Sequence, residues 1–192
     1  MSKQDFDIGS EIRCWGVCIP DNAAEEVSKT LKSTWINTGK KEKEFREKIC
    51  KRFKAPYAIA CTSGTSALKI ALRALDIGPG DEVVSTPFTF IATNTAILEV
   101  GAKPVFADIQ YDTLNIDPKS VEEKITAKTK AIMCVHYAGN PVDLDELRAI
   151  GDKYNLPIIE DSAHAMTSEY KGQPIGSTGD IATFSFQCVK IV

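Results

Sequence analysis

From about residue 56 onward, short apolar runs rich in β-branched residues alternate with amphipathic segments, and turn residues mark each switch. This rhythm is that of βαβ units around a parallel sheet, and it restricts the chain to an α/β fold with helices layered on a mainly parallel sheet. Tyr57–Cys61 reads as the first strand, Thr62–Thr65 as a turn, and Leu68, Ala71, Leu72 and Leu75 as the apolar face of a helix. After the turn at Gly78-Pro79-Gly80-Asp81, a strand is expected at Glu82–Ser85, then an Ala-rich helix from about Ile91 to Gly101 and a strand at Pro104–Ala107. Asp117-Pro118 opens a helix to about Ile125, and Ala131–Val135 reads as a fully buried strand. The loop His136–Pro141 leads to Asp143 and a helix carrying Leu144, Leu147, Ile150 and Tyr154, stopped by Asn155. Leu156–Ile159, ending at Glu160 and Asp161, is the next strand. A polar, hairpin-like stretch then precedes a last strand at Ile181–Phe186, with Lys190 just beyond.

Residues 1–55 follow another pattern. A helical segment runs from Pro20-Asp21 through Leu31, Trp35–Gly39 interrupts it, and a charged helix follows from Lys41 to about Phe53. The division expected is an N-terminal helical arm (1–55) packed on the sheet of an α/β domain (56–192).

Composition narrows the function. With 23 Lys and Arg against 26 Asp and Glu, the net charge of −3 argues against a nucleic-acid partner. No apolar run approaches the roughly 20 residues that span a bilayer, and no apolar segment follows the first Lys as in a secretory leader, so no membrane partner and a cytoplasmic address are expected. Cys14, Cys18, Cys50, Cys61, Cys134 and Cys188 read as reduced thiols. Cys14 and Cys18 lack a second Cys/His pair at ligand spacing, so no metal is assigned.

In open parallel sheets the ligand sits outside the carboxyl ends of the strands. Four positions following apolar runs carry chemistry. Ser63-Gly64-Thr65-Ser66 marks a strand-to-helix junction whose unpaired amides suit a phosphate, or an ordinary N-cap turn. Neither the G-x-G-x-x-G nor the G-x-x-x-x-G-K-[ST] pattern is present, which weakens a plain nucleotide-binding reading. Pro87-Phe88-Thr89-Phe90 places rings past a strand end, for stacking on a planar ligand or for the core. Asp161 ends an apolar strand and needs a partner, either a ligand or a structural ion pair or hydrogen-bonded turn, and His164 three residues on reads as a hydrogen-bonded structural histidine or a general base. Lys190 follows the last apolar strand, where a desolvated amine would attack a carbonyl, although most lysines are simply solvated. Together these supply what pyridoxal phosphate requires: phosphate site, ring face, partner for the ring nitrogen, and amine for the aldehyde.

The motifs Trp35–Gly39, Thr62–Leu68, Thr86–Thr93, His136–Gly139, Glu160–Ala165 and Phe184–Phe186, followed by Lys190, resemble in order those of the DegT/DnrJ/EryC1/StrS sugar aminotransferases. These are fold-type-I, pyridoxal-5'-phosphate-dependent enzymes, and the resemblance implies the three-layer α/β/α large domain of that fold with its C-terminal part missing. It implies Lys190 as the lysine that bonds the aldehyde and Asp161 as the partner of the ring nitrogen. Phe90 and His164 would flank the ring, and Gly64, Thr65, Ser66 and Ser185 would hold the phosphate. The implied reaction moves an amino group from an amino-acid donor, usually glutamate, to a nucleotide-linked keto sugar, in a homodimer. Related dehydrases carry His in place of this Lys, so Lys190 favours transamination. The His136 and Glu160 motifs look closest to 4-aminotransferases acting on UDP-4-keto sugars for surface polysaccharide or lipid A. Members run to roughly twice this length, so a rival expectation is a non-catalytic fragment or binding module that keeps the fold and some phosphate affinity.

Overall fold

A short strand buried along its whole length needs a helical layer on each of its faces. The computed structural model describes residues 19–177 and 179–190. Its strand β1 (Glu82–Ser85) is buried at all four positions. It is flanked in parallel by β2 (Lys103–Phe106) and β3 (Thr129–Val135), and β3 pairs in parallel with β4 (Ile158–Asp161). A small antiparallel hairpin, β5 (Glu169–Tyr170) with β6 (Gln173–Pro174), precedes β7 (Ile181–Thr183), which pairs in parallel with β4. The sheet order is β2-β1-β3-β4-β7.

Because successive residues of a strand point to opposite faces, the two layers divide the apolar residues cleanly. Val83, Ala131, Met133 and Ile159 meet Leu68 and Leu72 of α3 (Gly64–Ala74) and Ala96 and Ile97 of α4 (Ala92–Glu99). On the other face Val84, Ile132, Cys134 and Ile158 meet Val121 of α5 (Pro118–Lys124) and Leu144, Leu147 and Ile150 of α6 (Leu144–Tyr154). The result is three layers, α/β/α. The expected caps form: Asp117 accepts from the Lys119 N–H with Pro118 in the first turn, and Asp143 accepts from the Glu146 N–H. Asn155 ends α6 at φ 53°, the left-handed region that Asn tolerates.

N-terminal to these layers, α1 (Ala23–Lys32) buries no residue and α2 (Lys40–Phe53) buries only Phe53. The Phe53 ring stacks on Phe184 at 4.5 Å, and Phe45 meets Phe186 edge-on at 4.9 Å, so α2 contacts the exit of β7. Lys41 bonds Glu26 at 2.9 Å and ties α2 to α1. No helix among the described residues is long and apolar enough to cross a membrane. Cys50, Cys61, Cys134 and Cys188 are free thiols, of which only Cys134 is buried. Cys14 and Cys18 lie outside the described residues.

Two expected strands differ. Tyr57–Cys61 joins no sheet among the described residues, and Tyr57 and Ile59 are 87% and 76% exposed. A strand is defined by its hydrogen-bonded neighbour, and composition cannot supply one. The expected strand Ile181–Phe186 stops at Thr183, because its partner β4 ends there, at the Asp161–Thr183 pair. Strand β4 itself starts at Ile158, just after Pro157, which has no N–H to give a ladder.

Leu147 is fully buried between α6 and the sheet, whereas Leu98 on α4 is 58% exposed. Leu147→Ala is expected to cost about 3 kcal/mol of stability, read as a lowered urea midpoint. Leu98→Ala is expected to change stability by less than about 0.5 kcal/mol and to leave that midpoint nearly unmoved.

Candidate active site

The first turn of α3 presents backbone donors. Ser63 caps it, its hydroxyl accepting from the Ser66 N–H at 3.1 Å, while the Thr62 and Ser66 hydroxyls lie 3.1 Å apart. The amides of Gly64 and Thr65, in that same turn, lie beyond the reach of helical hydrogen bonding. Ser185, just past β7, closes the other side: a Cβ placed on Gly64 would lie 3.1 Å from the Ser185 Cβ. Glycine at 64 thus lets the helix start approach the end of β7, making a small cradle of amides and hydroxyls suited to an anion.

Asp161 stands at the carboxyl end of β4, 7% exposed. Its Oδ1 accepts from the Ala163 N–H at 3.2 Å and its Oδ2 from the Thr93 hydroxyl at 2.8 Å. Lys190 is half-buried in a turn after β7, its backbone N–H donating to the Gln187 carbonyl at 2.8 Å. Its Nζ lies 3.1 Å from His164 Nε2 and 5.4 Å from the centre of the Phe90 ring. Burial, and then the positive charge of Lys190, hold His164 below the ordinary imidazole value of 6.5, with Asp161 opposing. A neutral His164 therefore accepts an N–H from Lys190. The Phe90 ring is 63% exposed, Phe88 packs on Tyr137 at 4.5 Å, and Tyr137 stands edge-on to His164 at 6.1 Å. The structure thus gathers Phe90, His164 and Lys190 into one group with Asp161 within electrostatic reach of His164, and Gly64, Thr65, Ser66 and Ser185 into a second group by the β7 exit.

Sequence reasoning missed several residues. Thr93 is fully buried and shares the inward face of α4 with Ala96 and Ile97. A hydroxyl on that i, i+3, i+4 stripe was the available signal. Glu160 and His136, both with fully buried side chains, bond at 3.0 Å on the α6 side of the sheet. Because the Val142 N–H donates to His136 Nδ1 at 3.2 Å, Nε2 carries the proton and donates to Glu160. Asn115, 2% exposed, donates to the carbonyls of Asn140 and Pro141 and accepts from the Tyr137 N–H, anchoring the loop that carries Tyr137. Burial, followed by the Glu160 and Asp161 charges, pushes the Cys134 thiol up, so it stays protonated and inert.

An anion cradle, an acceptor carboxylate at a strand end and an amine beside an aromatic ring are the contacts that a planar, phosphate-bearing carbonyl compound requires. The chain belongs to the DegT/DnrJ/EryC1/StrS aminotransferase family, whose model matches residues 17–192. It is 44% identical over 166 residues to the spore coat polysaccharide biosynthesis protein SpsC of Bacillus subtilis, covering 86% of this chain and 43% of that protein. The aminotransferase from Psychrobacter cryohalolentis matches at TM-score 0.88 and 44% identity, over 92% of this chain and 45% of that one. Spr1654 of Streptococcus pneumoniae, described as a sugar aminotransferase, matches in its PLP form at TM-score 0.89 and 39% identity, over 93% and 50%. The chain spans half or less of the length of each of these proteins.

His164 and His136 are the two histidines of the chain, so an NMR titration distinguishes them readily. His164 is expected to titrate below 6.5, and Lys190→Met to raise its midpoint by part of the shift, burial being the larger cause. Folding keeps His164 neutral, so just below 6.5 the unfolded chain binds the extra proton. Its contribution to stability is therefore present above that value and lost as the pH falls through the lowered one.

Proposed function

We propose that this protein is a pyridoxal-5'-phosphate-dependent aminotransferase that moves the amino group of glutamate to a keto sugar carried on a nucleotide diphosphate. The observation that carries this reading is Lys190 Nζ, 3.1 Å from His164 Nε2 and over the Phe90 ring, in a chain similar to a sugar aminotransferase solved in its PLP form. The residues present fit the group: the tight seat of Gly64 against Ser185 leaves a cradle of small donors, and the buried Asp161 carboxylate is a ready acceptor. When bound, the cofactor supplies an electron sink for carbanion charge.

Each residue then has a task. The amides of Gly64 and Thr65 and the hydroxyls of Thr65, Ser66 and Ser185 bind the phosphate. Asp161 would accept a hydrogen bond from the protonated ring nitrogen and so hold that proton in place. Phe90 and His164 would stand beside the ring and shield it in part from water. Lys190 Nζ would supply the amine for the aldehyde and, when free, would take the α-proton of the donor amino acid and return it. His164 Nε2 orients that amine. The sugar reading draws on the polysaccharide role in the name of SpsC; a UDP-4-keto sugar for surface polysaccharide or lipid A is the substrate we assign. A second subunit is the partner we assign to the exposed Trp35 and Ile36, 67% and 73% accessible, as a homodimer.

The test is an absorbance spectrum of the protein with added pyridoxal phosphate, before and after borohydride, beside Lys190→Ala. A visible band that borohydride fixes onto Lys190, and that the variant lacks, is expected. A folded protein with no band would favour the rival reading of a binding module without chemistry. Adding glutamate is expected to bleach the band, and Lys190→Arg, whose guanidinium stays protonated and cannot bond the aldehyde, is expected to lack the band as Lys190→Ala does.

A further inference from the structure

The two oxygens of Asp161 are held by donors of different kinds. Oδ1 takes a backbone N–H, from Ala163 at 3.2 Å, which any residue at 163 other than proline would supply. Oδ2 takes a side-chain hydroxyl from another element, Thr93 of α4, at 2.8 Å. Thr93 is fully buried, and its Oγ1 also lies 2.8 Å from the Thr89 Oγ1. A hydroxyl has one proton, and a carboxylate can only accept. The Thr93 proton therefore goes to Asp161, and Thr89 must donate to Thr93. The chain Thr89→Thr93→Asp161 runs in one direction, each bond polarising the next.

We propose that Thr93 is the positioning residue of this site: its hydroxyl sets the plane of the Asp161 carboxylate, and Thr89 sets the direction in which that hydroxyl donates. A carboxylate pinned at both oxygens by donors from two elements cannot rotate about its terminal torsion, and its remaining lone pairs point to fixed places at the sheet edge. The ligand group it selects is a cationic N–H in the plane of a ring, which rests on the cofactor reading above. Thr93 would act on the ligand only through Asp161.

The experiment uses the full-length protein with Thr93→Val, which keeps the shape and loses the hydroxyl, and Thr93→Ser, which keeps the hydroxyl. Circular dichroism checks that each is folded. Three readouts are taken: pyridoxal phosphate affinity from the visible band, borohydride fixation on Lys190, and kcat and KM for the glutamate half-reaction. Thr93→Val is expected to retain fixation on Lys190 but to lose about tenfold in cofactor affinity and in kcat, as for one lost hydrogen bond to a charged group. KM should be unchanged and Thr93→Ser should recover most of the loss. In an Asp161→Asn background the Thr93→Val effect on affinity should vanish, because the carboxylate it positions is gone. An unchanged affinity in Thr93→Val, a Thr93→Ser no better than Val, or an undiminished effect without Asp161 would each overturn the assignment. A wild-type protein with no band at all would sink the cofactor reading itself and this assignment with it.

Discussion

The structure depends on strands that are buried on both faces. β1 and β4 are buried at every position, and β3 at all but one. Where both faces of a strand are dry, a polar side chain is tolerated only with a partner, so the chemistry of the chain collects at the strand ends, where the register is shared. Parallel pairing points all five carboxyl ends the same way. Asp161 at the end of β4 and Ser185 just past β7 follow neighbouring parallel strands and so reach the same edge of the sheet.

The exceptions to dryness show how tightly this is held. Glu160 and Asp161 are adjacent in β4 and both buried, and the pleat sends them to opposite faces. Glu160 meets His136 beneath α6, and Asp161 meets Thr93 of α4. The Glu160 carboxylate lies entirely inside the domain, bonded to His136 through Oε2 and 4.0 Å from Arg148 Nη2 through Oε1. The Asp161 carboxylate accepts from a hydroxyl of α4 and from an amide of its own turn. The same local sequence therefore holds two buried carboxylates, adjacent in the chain and on opposite faces of the sheet.

Much of this was legible in the chain. The periodicity of Leu144, Leu147 and Ile150, the cap pairs Asp117-Pro118 and Asp143, and the Asn155 stop located their helices to within a residue or so. Those signals are local, and local backbone energetics decide them. Tyr57–Cys61 misled because its composition is that of a strand, while a strand also needs a neighbour to bond. Thr93 was missed for the complementary reason: a Thr in a helix is ordinarily unremarkable, and its role arises only when another element brings a carboxylate within 2.8 Å.

The order of the elements, their caps, the two-sided burial of the strands and the residue types waiting at their ends were determined by the sequence alone, because spacing and side-chain chemistry act over a few residues. Which of those ends meet was decided by the tertiary structure. The contact of Gly64 with Ser185, of Lys190 with His164 and Phe90, and of Thr93 with Asp161 each joins residues that are distant in the chain or lie on different elements. Such contacts follow from strand order and register, which are set by the packing of whole layers and not by any one segment.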